Sequence, residues 1–131
     1  LTDHHEGRLY EELGDVFFLT HFPESTSPFW NMKMAGMTST GKDRQANKCD
    51  VIIGGMETIG SAERATDVKE MREQFHTISE GGYASLLYDL FGKERVEAEL
   101  EEFLSYDFRP RYGGGIGITR LIAGMKRAEI L

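Results

Sequence analysis

Cysteine is almost missing from this chain: Cys49 is the single one in 131 residues. An internal disulfide is excluded, and a reducing, cytoplasmic compartment is the expected setting. An excess of positive charge is missing too. Fifteen Lys and Arg against 22 Asp and Glu leave a net charge of −7, which argues against nonspecific adhesion to nucleic acid but leaves room for a local basic patch. No apolar run approaches the ~20 residues that span a bilayer, so no membrane partner is expected. No signal-peptide pattern opens the chain, and there is no low-complexity segment or internal repeat. What is present is 40% hydrophobic and 28% charged residues, which suits one soluble globular domain with a buried core. The chain opens on Leu1 inside a helical pattern, which reads as a piece of a longer protein.

Periodicity and punctuation give the layout. Residues 3–13 read as a helix with Leu9 and Leu13 on one face and Gly14 closing it. Val16 to Phe22 is β-branched and aromatic and reads as a strand stopped by Pro23. Glu24 to Pro28 is turn-like, and Phe29 to Met34 reads as a second strand. The polar stretch Gly36 to Lys48 reads as a hairpin loop, and Cys49 to Gly60 as a long strand with Gly54-Gly55 inside it. Val68, Met71, Phe75 and Ile78 recur at helical spacing over 67–78, with Asp67 placed to cap. Helices over 83–91 and 93–105 follow the Gly81-Gly82 break. Pro110 to Gly117 leads to a last strand, and 118–127 is the final helix. The expected class is α+β, an antiparallel β-sheet flanked by helices that pack on one face.

Two clusters carry chemistry. The first is Tyr112-Gly113-Gly114-Gly115-Ile116-Gly117-Ile118-Thr119-Arg120-Leu121. Glycines let backbone approach a flat or anionic ligand, and an arginine in the next helical turn can fork onto phosphate. The stretch is neither a Walker loop nor a dinucleotide fingerprint, since both spacings are absent. A plain strand-to-helix turn would need such glycines as well. The second cluster runs from Asp50 through Glu57 to Arg64. A separation of seven puts Asp50 and Glu57 on opposite strand faces, and a one-residue bulge at Gly54-Gly55 would bring them to the same face. Two carboxylates there can hold Mg²⁺ against phosphate oxygens. The alternative is solvated strand carboxylates, with Arg64 paired to Glu63 or Asp67.

Other residues read more simply. His4-His5 reads as an exposed pair, because no further ligand has metal spacing. His21 could line a substrate pocket, though a structural role fits better. Phe29 and Trp30 read as core. Cys49 reads as a small buried residue, and the acidic run 97–102 as a solvated helix face. Lys42, Arg44 and Lys48 form a basic loop that could touch RNA.

Together the clusters resemble the C-terminal half of a class II aminoacyl-tRNA synthetase catalytic core, of the aspartyl, asparaginyl and lysyl subgroup. The segment 112–122 is similar to the family's third motif, and the resemblance runs over about residues 9–130. It implies ATP and Mg²⁺ as cofactors and aspartate or asparagine as substrate. It implies that Arg120 is the catalytic phosphate clamp, that Gly117, Ile118, Thr119, Arg120 and Glu57 bind the nucleotide, and that Asp50 and Glu57 hold the metal. Arg64, Ser61 and Gly115 are the implied substrate-binding residues. tRNA is the implied acceptor and a homodimer the implied full-length state. The first and second motifs are expected upstream of Leu1, which would leave the isolated 131-residue chain unable to catalyse ATP–pyrophosphate exchange.

The sequence also departs from the family pattern. Gly60 stands where Ser is frequent, Glu63 where Gln is frequent and Thr119 where an acidic residue is frequent. Gly-Gly-Gly-Ile-Gly followed by a hydroxyl residue and Arg is similar to ammonia-dependent asparagine synthetases as well. Two alternatives stay open: transfer of ammonia to activated aspartate, and a catalytically silent paralogue that binds or regulates.

Overall fold

The computed structural model describes residues 3–26, 28–127 and 129, and of the first helix's side chains not those of Asp3, His4, Glu6 and Gly7. The element order is α1 (Asp3–Leu13), β1 (Val16–Pro23), β2 (Met34–Met37), β3 (Arg44–Ile53), β4 (Met56–Arg64), α2 (Val68–Thr77), α3 (Gly82–Phe91), α4 (Lys93–Leu104), β5 (Arg111–Ile116) and α5 (Ile118–Arg127). All strand pairings are antiparallel, in the order β1-β3-β4-β5, with β2 added at the start of β3. No helix among the described residues is long and apolar enough to cross a membrane.

Three expectations about the strands are corrected. Gly54-Gly55 is a hairpin turn and not a bulge within one strand. Ile53 faces Met56 across it, and φ is +58° and +77° at the two glycines, the left-handed pair that a two-residue turn between twisted strands needs. The 36–48 segment is a loop only over 38–43, since Gly36 and Met37 end β2. From Arg44 onward it is strand, because its polar side chains find partners. The Arg44 guanidinium bonds Glu24 and Glu70 at 2.7 Å, and Asn47 donates to Glu63 at 2.7 Å. Conversely, 29–33 is not strand. Its irregular backbone bonds to the neighbouring strands, Lys33 N–H to the Glu63 carbonyl and Ala65 N–H to the Asn31 carbonyl, both 2.9 Å. This frees Trp30 to turn away from the sheet.

Trp30 enters an apolar core built by α2, α3 and α4, with Ala65, Met71, Phe75, Ala84, Val96, Leu100 and Leu104. Phe75 and Phe103 stand edge-on to the indole at 5.4 and 5.6 Å, while Phe29 is 41% exposed. These helices therefore pack mainly on one another rather than lying on the sheet. Asp67 caps α2 by accepting the Glu70 N–H at 3.0 Å. Helix α5 lies across β3 and β4, and α1 packs against β1 and β4. A Cβ on Gly124 would stand 2.6 Å from Ile53 Cγ2, so Gly124→Val is expected to destabilise by ~2 kcal/mol through overpacking, read as a lowered melting midpoint.

A polar tie crosses the helical lobe. Glu97 of α4 accepts from Tyr88 of α3 and, at 2.9 Å, from His76 Nε2 of α2, whose Nδ1 donates to the Arg72 carbonyl at 2.7 Å. The bond to Glu97 raises the His76 pKa and pushes Tyr88 up to about 12. Arg72 and Lys93 are the neighbouring cations. A raised histidine pKa contributes stability that is complete below its unfolded value and lost as pH rises through the folded one. His76 is partly exposed, so the contribution is only ~0.5 kcal/mol. Stability measured by urea melts at pH 6 and 8 is expected to fall by that amount in the parent and to stay level in His76→Gln.

Candidate functional site

The strand register decides which side chains meet. Asp50 sits opposite Gly60, Lys48 opposite Ala62 and Ile52 opposite Glu57. Gly115 sits opposite Gly60, Gly113 opposite Ala62 and Arg111 opposite Arg64. Directly opposed residues share a face. Thr58 is the extra residue where the β3–β4 register shifts, and this bulge brings Glu57 to the face that holds Asp50. The expected convergence of the two carboxylates is thus produced by Thr58, three residues beyond the Gly54-Gly55 pair at which the bulge was expected.

Gly60 is the point of convergence. A Cβ built there would lie 2.9 Å from Glu57 Oε1 and 3.5 Å from Asp50 Oδ1. Asp50 is buried, at 4% exposure. Its Oδ2 takes the Lys48 ammonium, which also lies 3.8 Å from the Phe22 ring centroid. Its Oδ1 is buried with no hydrogen-bond partner. A buried orphan carboxylate oxygen is costly unless something positive meets it. Two carboxylates on one face fit a hard divalent ion that keeps water or phosphate oxygens as its other ligands. Lys48 leaves Oδ1, and not Oδ2, for such an ion.

The glycine-rich strand separates into two kinds of position. Gly114 is required by the protein itself, and Gly113 leaves the room in which the Arg64 side chain lies. A Cβ on Gly113 would approach Arg64 Nε to 3.0 Å, and one on Gly114 would approach the Gly60 carbonyl and Ser61 Cβ to 2.8 Å. Nothing lies within 4 Å of a Cβ on Gly115, so packing does not demand glycine there. The exposed floor is left smooth for a flat ligand. At Gly117 the strand turns into α5: its N–H donates to the Thr58 carbonyl and its carbonyl accepts from Leu121 N–H, both 2.8 Å. Ile118, Thr119 and Arg120 form the exposed first turn of α5. Arg120 reaches back and donates to the Glu57 carbonyl at 2.7 Å, which puts its guanidinium at the carboxylate end of the face.

Arg64 marks the other end. It donates to Asn31 Oδ1 at 3.2 Å and to the Gly113 carbonyl at 3.4 Å. It pairs with neither Glu63 nor Asp67. Glu63 points to the opposite face, where Lys33 and Asn47 hold it at 2.7 Å each. The bond from Lys33 keeps its carboxyl below the usual range. Ser61 also lies on that opposite face and donates to the Cys49 carbonyl at 2.9 Å. The structure therefore gathers Asp50, Glu57, Arg64, Gly115 and, at the rim, Gly117 to Arg120, but not Ser61. Lys48, expected in a loop, stands on this face too, and only the strand alternation from Lys48 to Asp50 would have placed it there.

The remaining candidates are dispersed. His21 is an exposed bulge residue at φ +60°, bonded to Thr20 Oγ1 at 2.9 Å. Cys49 is half-buried and free. His5 is exposed, and the His4 side chain lies outside the described residues. Arg44 and Lys48 belong to β3 and already hold carboxylates, which leaves only Lys42 of the three at the turn.

The model of the family "tRNA synthetases class II (D, K and N)" matches residues 5–130. An aspartate–tRNA(Asp) ligase of Pyrobaculum aerophilum is 26% identical over 117 residues, 89% of this chain and 23% of the ligase. Asparaginyl-tRNA synthetase from Pyrococcus horikoshii, in a complex with asparaginyl-adenylate, has the same fold, with a TM-score of 0.67, 22% identity, and coverage of 97% of this chain and 26% of that one. An aspartyl-tRNA synthetase from Entamoeba histolytica gives 0.60, 20%, and coverage of 95% and 23%. The chain spans about a quarter of the length of these relatives. From the family match over almost its whole length, this chain belongs to the class II tRNA synthetases of the aspartate, lysine and asparagine group.

Proposed function

We propose that the full-length protein activates an amino acid of the aspartate/asparagine type with ATP, as a class II aminoacyl-tRNA ligase. The observation that carries this reading is the convergence of Asp50 Oδ1 and Glu57 Oε1 over Gly60, on a smooth face with an arginine at each end. The amino-acid carboxylate is already ionised, so the step needs no general base. One of its oxygens bonds to the α-phosphorus, the bond to the bridging oxygen breaks, and pyrophosphate leaves. Positioning and charge neutralisation supply the acceleration.

Asp50 and Glu57 hold Mg²⁺ in this reading, and the bound ion neutralises phosphate oxygens. Arg120 holds the terminal phosphate through charge-assisted bonds. The backbone of Gly117, Ile118 and Thr119 lies along the nucleotide, Gly115 floors the groove, and Arg64 orients the amino acid. The activated carboxyl then passes to tRNA.

ATP–pyrophosphate exchange by the full-length protein tests the activation step. Exchange that depends on aspartate or asparagine supports it, and no exchange with either overturns it. Charging of tRNA, against formation of asparagine from added ammonia, then reads out the acceptor. Arg120→Gln is expected to raise the KM for ATP or lower kcat by about 100-fold in total, and exchange kinetics with varied ATP measure it.

A further inference from the structure

Lys48 and Asp50 are alternate residues of β3, so their side chains leave the sheet on the same face. Lys48 stands opposite Ala62, and Ala62 opposite Gly113, so the row beside it is small and uncharged. Its ammonium holds Asp50 Oδ2 and lies 3.8 Å from the Phe22 ring centroid, a cation–π contact that gives it a second anchor. At 17% and 5% side-chain exposure, Lys48 and Asp50 form the most buried ion pair among the described residues. Lys33 and Glu63 follow at 49% and 11%.

A buried pair of this kind adds little stability by itself, because desolvation offsets most of the attraction. The pairing is also one-sided. Lys48 takes Oδ2, while Oδ1 is buried without a hydrogen-bond partner. That oxygen lies 3.5 Å from the Cβ position of Gly60, and Glu57 Oε1 lies 2.9 Å from the same point. Lys48 therefore occupies one oxygen of Asp50 and leaves the other at the place where the two carboxylates converge.

Asp50 and Glu57 bring two negative charges to this end of the face. Lys48 and Arg120 bring two positive ones, Lys48 through Asp50 and Arg120 through its 2.7 Å bond to the Glu57 carbonyl. The sum is zero. Among the described residues, no group of three or more His, Cys, Asp or Glu side chains is placed to hold a metal ion. A divalent ion gains little from two carboxylates whose charge is already matched, and the phosphate oxygens of a nucleotide supply what is missing. We infer that Lys48 is a positioning residue and built-in counter-ion: it holds Asp50 for ligation through one oxygen and keeps free divalent cations off the site, so that the ion is retained only together with the nucleotide's phosphates. This rests on the metal-assisted activation proposed above.

Equilibrium dialysis of the full-length protein against Mn²⁺, alone and with a non-hydrolysable ATP analogue, tests the inference. Ions retained by the parent and lost in Asp50→Asn are those of this site. The parent is expected to hold Mn²⁺ there at least about tenfold more tightly with the analogue than without it. Lys48→Met should strengthen the binding of Mn²⁺ alone by at least about tenfold, and Lys48→Arg should leave it as weak as in the parent, because the charge remains. A lysine with only a structural role would give the opposite sign in Lys48→Met, since a loosened site binds less. A parent that binds Mn²⁺ equally with and without the analogue overturns the inference, whether or not the variants fold. So does unchanged or weakened binding of Mn²⁺ alone in a folded Lys48→Met. No Mn²⁺ at this site even with the analogue overturns the metal-assisted reading itself, and the inference with it.

Discussion

Asp50→Asn is expected to lower amino-acid-dependent ATP–pyrophosphate exchange by the full-length protein by at least about 100-fold, the size of effect seen when one preorganised electrostatic group is removed. The substitution keeps the shape of the side chain and removes its charge. Asp50 is 4% exposed, with one oxygen on Lys48 and the other unpartnered beside Glu57. The charge on that second oxygen has no structural partner to serve, so its loss falls on function. Some loss of stability accompanies it, since Lys48 keeps its charge while its counter-ion is gone. The Lys48 side chain is 17% exposed and can move toward solvent, which limits that loss. Exchange kinetics together with a circular-dichroism melt separate the two effects. A folded Asp50→Asn protein with exchange within about threefold of the parent, ~0.7 kcal/mol, would show that the carboxylate pair is structural.

The largest effect on stability is expected at Trp30. Trp30→Ala removes an 8% exposed indole whose faces and edges are met by Phe75, Phe103 and Phe29 at 5.4 to 5.8 Å. Truncation of a large buried aromatic costs ~4 kcal/mol, the sum of lost transfer energy and the cavity left behind. This one links the segment before β2 to all three helices of the lobe, so little nearby can collapse into the space. Trp30→Phe is expected to cost far less, ~1 kcal/mol. The indole Nε1 is buried without a hydrogen-bond partner, and its removal relieves an unsatisfied donor. A chemical-denaturation series that gave equal losses for Ala and Phe would contradict this account of the core.

The periodic elements were legible because their signals are local. Helices α2 and α4 carry apolar residues at three- and four-residue spacing, and Met71, Phe75, Val96, Leu100 and Leu104 are the ones buried. The hairpin was missed although two glycines between apolar runs are a turn signal. Asp50 and Glu57 share a face only because Thr58 is bulged, and nothing in the residue types there announces a register shift. The strand character of Arg44 to Lys48 was hidden by polarity, since the partners Glu24, Glu63 and Glu70 of Arg44 and Asn47 are 16 to 26 residues away in sequence. Lys48 was placed in the loop for the same reason. Its meaning comes from sharing a strand face with Asp50. What a sequence shows least well is pairing across a sheet, and here that pairing makes the site.

The central claim is that the face of β3, β4 and β5 receives a metal-bound nucleotide. A crystal structure of the full-length protein with a non-hydrolysable ATP analogue and Mn²⁺ tests it most directly. The account predicts an anomalous Mn²⁺ peak bounded by Asp50 Oδ1 and Glu57, with the terminal phosphate on Arg120 and the analogue's phosphates along Gly117 to Thr119. A nucleotide bound elsewhere, or Mn²⁺ with no contact to either carboxylate, would contradict it.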